Sequence, residues 1–204
     1  MAKPREEEGQ NTRELLLQAA AKAFSEYGFG GANIRQIARD AGVGFQLIQY
    51  YFGSKQALLE AVVEYLFMQD AEAGYRHLEA IAPLPPEQQL VAQVHSVVRY
   101  KWEHPELNQI LLREAMQDSP EYQIIHEKAV EGFRTISRTF LGKMQKAGVV
   151  KTDIPLEDLV HLFQGAVLYR ILSRADMDSA KSNKISREKL IKKHADAIVN
   201  LLKK

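Results

Sequence analysis

Apolar residues recur at helical spacing along nearly the whole chain, and no stretch shows the two-residue alternation of a half-buried strand. Asn11 and Glu14 can open a first helix as a capping box. Its apolar face runs Leu16, Ala20, Ala23, Phe24 and Tyr27, and Gly28 ends it. Ile34, Ile37, Ala38 and Ala41 form a short second helix, with Asn33 as N-cap and Gln36 as capping-box partner. Gly42 follows the last periodic residue and supplies the left-handed conformation that stops the helix. After the turn Gly42-Val43-Gly44 a third helix covers about Phe45 to Tyr51. Ser54 caps a long fourth helix to about Ala82, with Leu58, Leu59, Val62, Val63, Leu66 and Phe67 on its apolar face.

Pro83, Pro85 and Pro86 break the pattern. Pro86 to Glu103 is helical, with Leu90, Val94, Val97, Val98 and Trp102 as its spine. Pro105 opens another helix through Leu107, Ile110, Leu111 and Met116. A capping box from Asp118 to Glu121 begins a long helix that ends before Gly148, and Pro155 starts the next. The fold class is therefore all-α, about nine helices.

The helix from Leu156 to about Ser173 is apolar on more than one side, so it needs two covers. The helix from Ser186 carries Leu190, Ile191, His194, Ala195, Ile198, Leu201 and Leu202 on one side and lysines on the other. One face of each belongs inside the subunit, and the other pairs with a second copy. Candidate dimer contacts are Leu159, Leu162, Phe163, Ala166, Tyr169 and Arg170 with Leu190, His194, Ile198 and Leu201.

The short second and third helices describe a helix-turn-helix. Ala38 allows a close crossing, Gly42 turns the chain, and Val43, Ile48 and Tyr51 fill the crevice. The other face of the third helix carries Phe45, Gln46, Leu47, Gln49 and Tyr50. A helix so presented fits the major groove of duplex DNA.

These residues carry a resemblance. The pattern T-R-x-x-(apolar)-(apolar)-x-A-A-x-x-x-F at Thr12 to Phe24, then Gly28, IRQIARDAGVG and YYFGSKQALLEAV, resembles the DNA-binding domain of the TetR family of transcriptional repressors over about the first sixty residues. The stretch HPELNQILLREAMQ is similar to the regulatory domains of some members. Gly44 stands where a serine usually caps the recognition helix, Leu47 where threonine or serine is common, and Gln49 where tyrosine is common. The operator of a relative therefore does not transfer.

The resemblance implies a flexible arm over 1–10, a three-helix DNA-binding domain over 11–53, and a larger helical ligand-binding and dimerisation domain over 54–204. It implies a homodimer on a palindromic double-stranded operator, released by a small-molecule effector. Gln46, Gln49 and Tyr50 would reach base edges, and Phe45 and Leu47 would give apolar contacts. Asn33, Tyr51 and Lys55 would hold phosphates, with Arg35 a further DNA-binding residue. The long fourth helix would act as a lever on the DNA-reading helix.

Composition changes the picture little. A net charge of +1 is low for a nucleic-acid binder, but Arg35, Arg39 and Lys55 face only Asp40 near the motif. The dense lysines between Lys181 and Lys204 read as a solvated helix face. Without cysteine there is no disulfide and no thiolate chemistry. No apolar run approaches the roughly 18 residues of a membrane span, and the start MAKPREEEGQ lacks a secretory block, so the cytoplasm is expected.

No constellation for catalysis appears. Asp158-x-x-His161 lacks the further glutamates of a di-iron bundle, the six histidines are scattered, and no serine sits in a nucleophile elbow. Neither an enzyme, nor a metal, nor a cofactor is expected. A largely apolar effector would meet a pocket drawn from Tyr65, His95, Arg99, Trp102, Phe133, Phe163, Gln164 and Tyr169. The alternative is a DNA-binding architectural or adaptor protein without an effector, and a solid second domain would favour it.

Overall fold

The computed structural model describes residues 4–117, 119–172 and 186–204, and within them the side chains of all but 4–8 and 169–172. The elements are α1 (Pro4–Gly31), α2 (Ile34–Asp40), α3 (Gln46–Phe52), α4 (Lys55–Ile81), α5 (Pro86–Glu103), α6 (Glu106–Met116), α7 (Pro120–Ile125), a π-helical turn (His126–Val130), α8 (Glu131–Lys146), α9 (Leu156–Leu172) and α10 (Arg187–Leu202). The π turn joins α7 to α8 without leaving helical dihedrals, so the two run on as one rod. Counted so, the described residues hold nine helices and one isolated antiparallel bridge, Val150 to Lys203. The all-α expectation holds.

Several boundaries differ from the sequence reading. Helix α1 begins at Pro4 and not at Asn11, so most of the expected flexible arm is helical. Proline at the first helical position, with Glu6, Glu7 and Glu8 following Arg5, is itself a favourable helix start, and it outweighs the weaker cap at Asn11. At Gly28, φ of 71° breaks the helical path as expected, and one further turn follows. Tyr27 is exposed and does not share the buried face of Leu16, Ala20 and Phe24. Asp118, the expected cap of α7, and Ser173 lie outside the described residues.

The chain divides into two compact units, Met1–Gln69 with Glu106–Glu131, and Asp70–Pro105 with Gly132–Lys204. The expected split into 11–53 and 54–204 runs elsewhere. Helix α4 contributes to both units, and α6 belongs to the first because it packs on α1.

In the first unit Leu16, Leu17, Ala20 and Phe24 of α1, Ile37 and Ala38 of α2, Ile48 of α3, and Leu58, Leu59, Val62 and Val63 of α4 are buried with Leu107 and Ile110 of α6. Each large aliphatic side chain so covered contributes about 1.5–3 kcal/mol against exposure. Glu114 is buried among them. Its Oε1 accepts the Phe29 backbone N–H at 2.8 Å, and its Oε2 accepts the Ser119 hydroxyl at 2.7 Å.

In the second unit α10 packs on α5 and α9 around a core that includes Leu90, Val94, Leu141, Met144, Val160, Ile191 and Leu202. Polar ties lash α10 to α5 at its rim. Arg99 donates twice to Glu188 at 2.8 and 2.7 Å, Arg187 donates to the Trp102 carbonyl at 3.0 Å, and His95 Nε2 lies 2.9 Å from Asp196 Oδ1.

Candidate nucleic-acid interface and effector cavity

The turn between α2 and α3 is built as its residues dictate. Asn33 Oδ1 accepts the N–H groups of Arg35 at 2.9 Å and Gln36 at 3.2 Å, which caps α2. Gln36 does not return the bond as a capping box would. Its amide donates to Asp40 at 2.6 Å and accepts from Arg39 at 2.6 Å, because partners one turn on lie on the same helix face. At the other end Gly42 has φ of 72°, its N–H reaches the Arg39 carbonyl at 3.0 Å, and the Val43 N–H reaches the Ala38 carbonyl at 3.0 Å. This paired bond pattern needs a left-handed residue, and glycine adopts it without a Cβ penalty.

Helix α3 is anchored by one buried residue, and half of the others are exposed. Ile48 is 2% exposed, whereas Tyr50 is 78% exposed, and Phe45, Gln46 and Gln49 are exposed beside it. Leu47 is half-buried. Tyr51 is also half-buried and stands edge-on to Tyr50 at 5.0 Å. The guanidinium of Arg35 lies 5.7 Å from the Phe45 ring, and both are exposed.

Ser54 caps α4 by accepting the Ala57 N–H at 3.0 Å. Lys55 follows it, with Nζ 4.8 Å from the centre of the Phe29 ring. Partial burial holds the Lys55 ammonium below the usual lysine range, against the opposing pull of Glu121 and Glu114.

The second unit contains a cavity of about 100 Å³. Its wall includes Phe133, Phe140 and Phe163 together with Asp70, Gln93 and Lys101. Lys101 Nζ bonds Asp70 Oδ2 and lies 4.0 Å from the Phe133 ring centre. Burial pushes the Lys101 ammonium below the usual lysine range, and Asp70 opposes that push. Gln93 is 5% exposed and its Oε1 has no hydrogen-bond partner.

Of the expected effector residues, the wall includes Phe133 and Phe163 only. Tyr65 is in the first unit, where its hydroxyl donates to Glu14 at 3.3 Å. His95 and Arg99 face acids of α10, and Trp102 is buried in the core beside the Arg187 tie. The polarity of His95 and Arg99 is consumed by helix-to-helix ties, so it does not mark a pocket, while the Trp102 indole N–H is buried without a partner. Gln164 is half-buried away from the wall, and the side chain of Tyr169 lies outside the described residues. Asp70, Gln93 and Lys101 escaped the sequence reading because isolated polar residues on α4 and α5 look solvated. The small residues Ala71, Ala73 and Gly74 were the available signal, since they leave room beside α4.

The expected dimer contacts also divide. Leu159, Phe163 and Ile198 are buried in the subunit's own core, which corrects their assignment to an outer face. Ala166 and Leu190 are half-buried against that core, and His194 Nε2 lies 2.9 Å from the Ala166 carbonyl oxygen. Leu162 and Leu201 remain outward, 44% and 42% exposed. The side chains of Tyr169 and Arg170 lie outside the described residues. Arg134 engages His161 Nε2 at 2.7 Å.

Among the described residues no helix is long and apolar enough to cross a membrane.

Comparison with known proteins accords with this geometry. A family model described as bacterial regulatory proteins, tetR family, matches residues 16–62. The HTH-type transcriptional repressor NicS of Pseudomonas putida is 32% identical, over 74% of this chain and 71% of its own. Among solved structures, HlyIIR, a hemolysin II transcriptional regulator, superposes with a TM-score of 0.68 at 21% identity over 96% of this chain and 99% of its own. The fatty acid degradation regulator FadR from Bacillus halodurans gives 0.73 at 16% identity, over 92% and 94%. These two likenesses speak for the fold alone. A capped α2, a glycine turn, an outward α3 and a long repressor relative together identify the chain as a member of the TetR family, a DNA-binding transcriptional regulator of the helix-turn-helix type.

Proposed function

We propose that the protein is a homodimeric repressor that reads a palindromic operator through two copies of α3 and leaves it when a small molecule fills the cavity of the second unit. The observation that carries this reading is the contrast within α3, where Ile48 is sealed in the core while Gln46, Gln49 and Tyr50 stand in solvent. Amide and phenol groups that stand in solvent are suited to base edges, and Phe45 and Leu47 are suited to thymine methyls.

Phosphate contacts fall to residues around the motif. The oxygen of Asn33 is spent on the cap, which leaves its NH₂ group to donate to a phosphate. Arg35 is exposed beside it, the Tyr51 hydroxyl is a further donor, and Lys55 opens α4, where backbone N–H groups also favour anions. Outward Leu162 on α9 and Leu201 on α10 support pairing of these helices with a second copy. Effector release works only if the ligand binds more tightly to the dimer shape that fits DNA poorly. The cavity favours this over an adaptor with a solid second unit.

Selection of bound fragments from random DNA, with the mass of the complex measured in solution, tests the reading. It predicts two protomers per site, or a multiple of two, and inverted repeats with half-sites about 34–36 Å apart or at multiples of that spacing. A monomer on a single unrepeated site would contradict it.

A further inference from the structure

The cavity of the second unit carries a statement about what enters it, resting on the effector reading above. Its two charged groups already neutralise each other, because Lys101 bonds Asp70 directly and both side chains are nearly covered. A charged guest would bring a second charge to a mostly apolar wall with no counter-charge left for it. The guest is therefore neutral.

Of the remaining polar lining residues, Gln93, Ser96, Tyr100 and Ser137, the amide of Gln93 is 5% exposed and has an oxygen that bonds nothing in the protein. Buried polar atoms are almost always paired, so an orphaned one in a cavity wall marks where a ligand's polar atom belongs. A hydroxyl suits it, since it can donate to the amide oxygen. The apolar part of the wall includes Phe133, Phe140 and Phe163, whose rings favour edge and offset contacts with another ring. Size limits the guest further. An apolar cavity of about 150 Å³ takes up benzene, so this one, about 100 Å³ and partly open to solvent, has room for no more than one ring, with part of it at the mouth.

We propose that the cavity takes a small neutral one-ring phenol, its hydroxyl on Gln93 and its ring among Phe133, Phe140 and Phe163. A phenol is un-ionised at neutral pH, since its pKa is about 10, so it meets the requirement for neutrality.

Calorimetric titration of the full chain with phenol, toluene and benzoate tests this, each ligand being one ring with a different polar group. Phenol is expected to bind at least about tenfold more tightly than toluene, in proportion to one hydrogen bond to a buried acceptor, and benzoate not measurably. Gln93→Leu is expected to abolish the preference for phenol while toluene binds as well as before. Equal affinity for phenol and toluene in the unaltered chain, tighter binding of benzoate, or no binding of phenol would overturn the proposal, whatever the variant's stability. Titration of the same preparation with selected DNA separates the two readings. Intact DNA binding without phenol binding removes only the ligand assignment, and phenol binding that leaves DNA affinity unchanged removes the effector role while the ligand assignment stands.

Discussion

The backbone N–H of Phe29 donates to Glu114 Oε1 at 2.8 Å, joining residues 85 positions apart. Phe29 opens the turn after the kink in α1, and Glu114 belongs to α6, so the bond makes α6 part of the unit that carries the DNA-reading helix. Ser119 holds the other carboxyl oxygen. Gly28 completes the fit, since a Cβ there would lie 2.8 Å from Arg113 Cδ and 3.2 Å from Glu114 Oε1.

Glu114→Ala leaves the half-buried Phe29 N–H without its partner. An unsatisfied buried donor costs about 1–3 kcal/mol, so the urea midpoint should fall accordingly, and Glu114→Gln, which keeps an acceptor oxygen, should lose less. Equal stability of the alanine variant and the parent would show that the bond contributes nothing.

Gly28→Ala should destabilise through both conformation and space. A φ of 71° is strained for a residue with a Cβ, and the new methyl meets Arg113. A loss of more than about 1 kcal/mol in the same urea experiment is expected. An unchanged or raised midpoint would mean that the turn relaxes freely.

Much of the DNA-binding unit was legible because its signals are local. Asn33 and its cap, Gly42 and its left-handed turn, and Ser54 each act within four residues of themselves. The capping box at Gln36 failed because Asp40 and Arg39 compete for the same amide, which the spacing alone does not rank. The role of Glu114 was invisible, since nothing near it in sequence names Phe29. The cavity was hidden for the same reason. Asp70 and Lys101 lie on different helices, and only the packing of α4 against α5 within the second unit turns two ordinary charges into a covered pair. The dimer face was half legible, because apolarity identifies a covered residue without saying whether its own chain or another covers it.

That covered pair gives a further expectation. Lys101→Met strands the Asp70 carboxylate in a nearly dry site, and breaking a buried pair on one side costs about 3–5 kcal/mol. Adding Asp70→Leu removes the stranded charge and should restore most of the loss. Thermal or urea unfolding of the two single variants and the double closes the cycle, and additive losses would contradict the pairing.

Acid should loosen the second unit through three exposed carboxylates. Hydrogen bonding from Arg99 lowers Glu188, from Arg138 lowers Glu157, and from Lys192, then His95, lowers Asp196. A carboxyl group whose folded pKa lies below its unfolded one binds fewer protons when folded, so its contribution is present above the ordinary carboxylate range and is lost as pH falls through the folded value. Arg99→Ala and Arg138→Ala should therefore be less stable than the parent at neutral pH, and the difference should shrink below about pH 4. A gap that persists at pH 3 would show that packing, and not ionisation, supplies the difference.

Whether α3 is the surface that reads sequence is measured directly by comparing Gln49→Ala with Lys55→Ala on selected and random DNA. Gln49→Ala should weaken the selected site by about 1–3 kcal/mol, roughly ten- to a hundredfold, and leave random DNA nearly unchanged. Lys55→Ala should weaken both alike and reduce the salt slope by about one. Equal losses on both DNAs for both variants would contradict that role of α3.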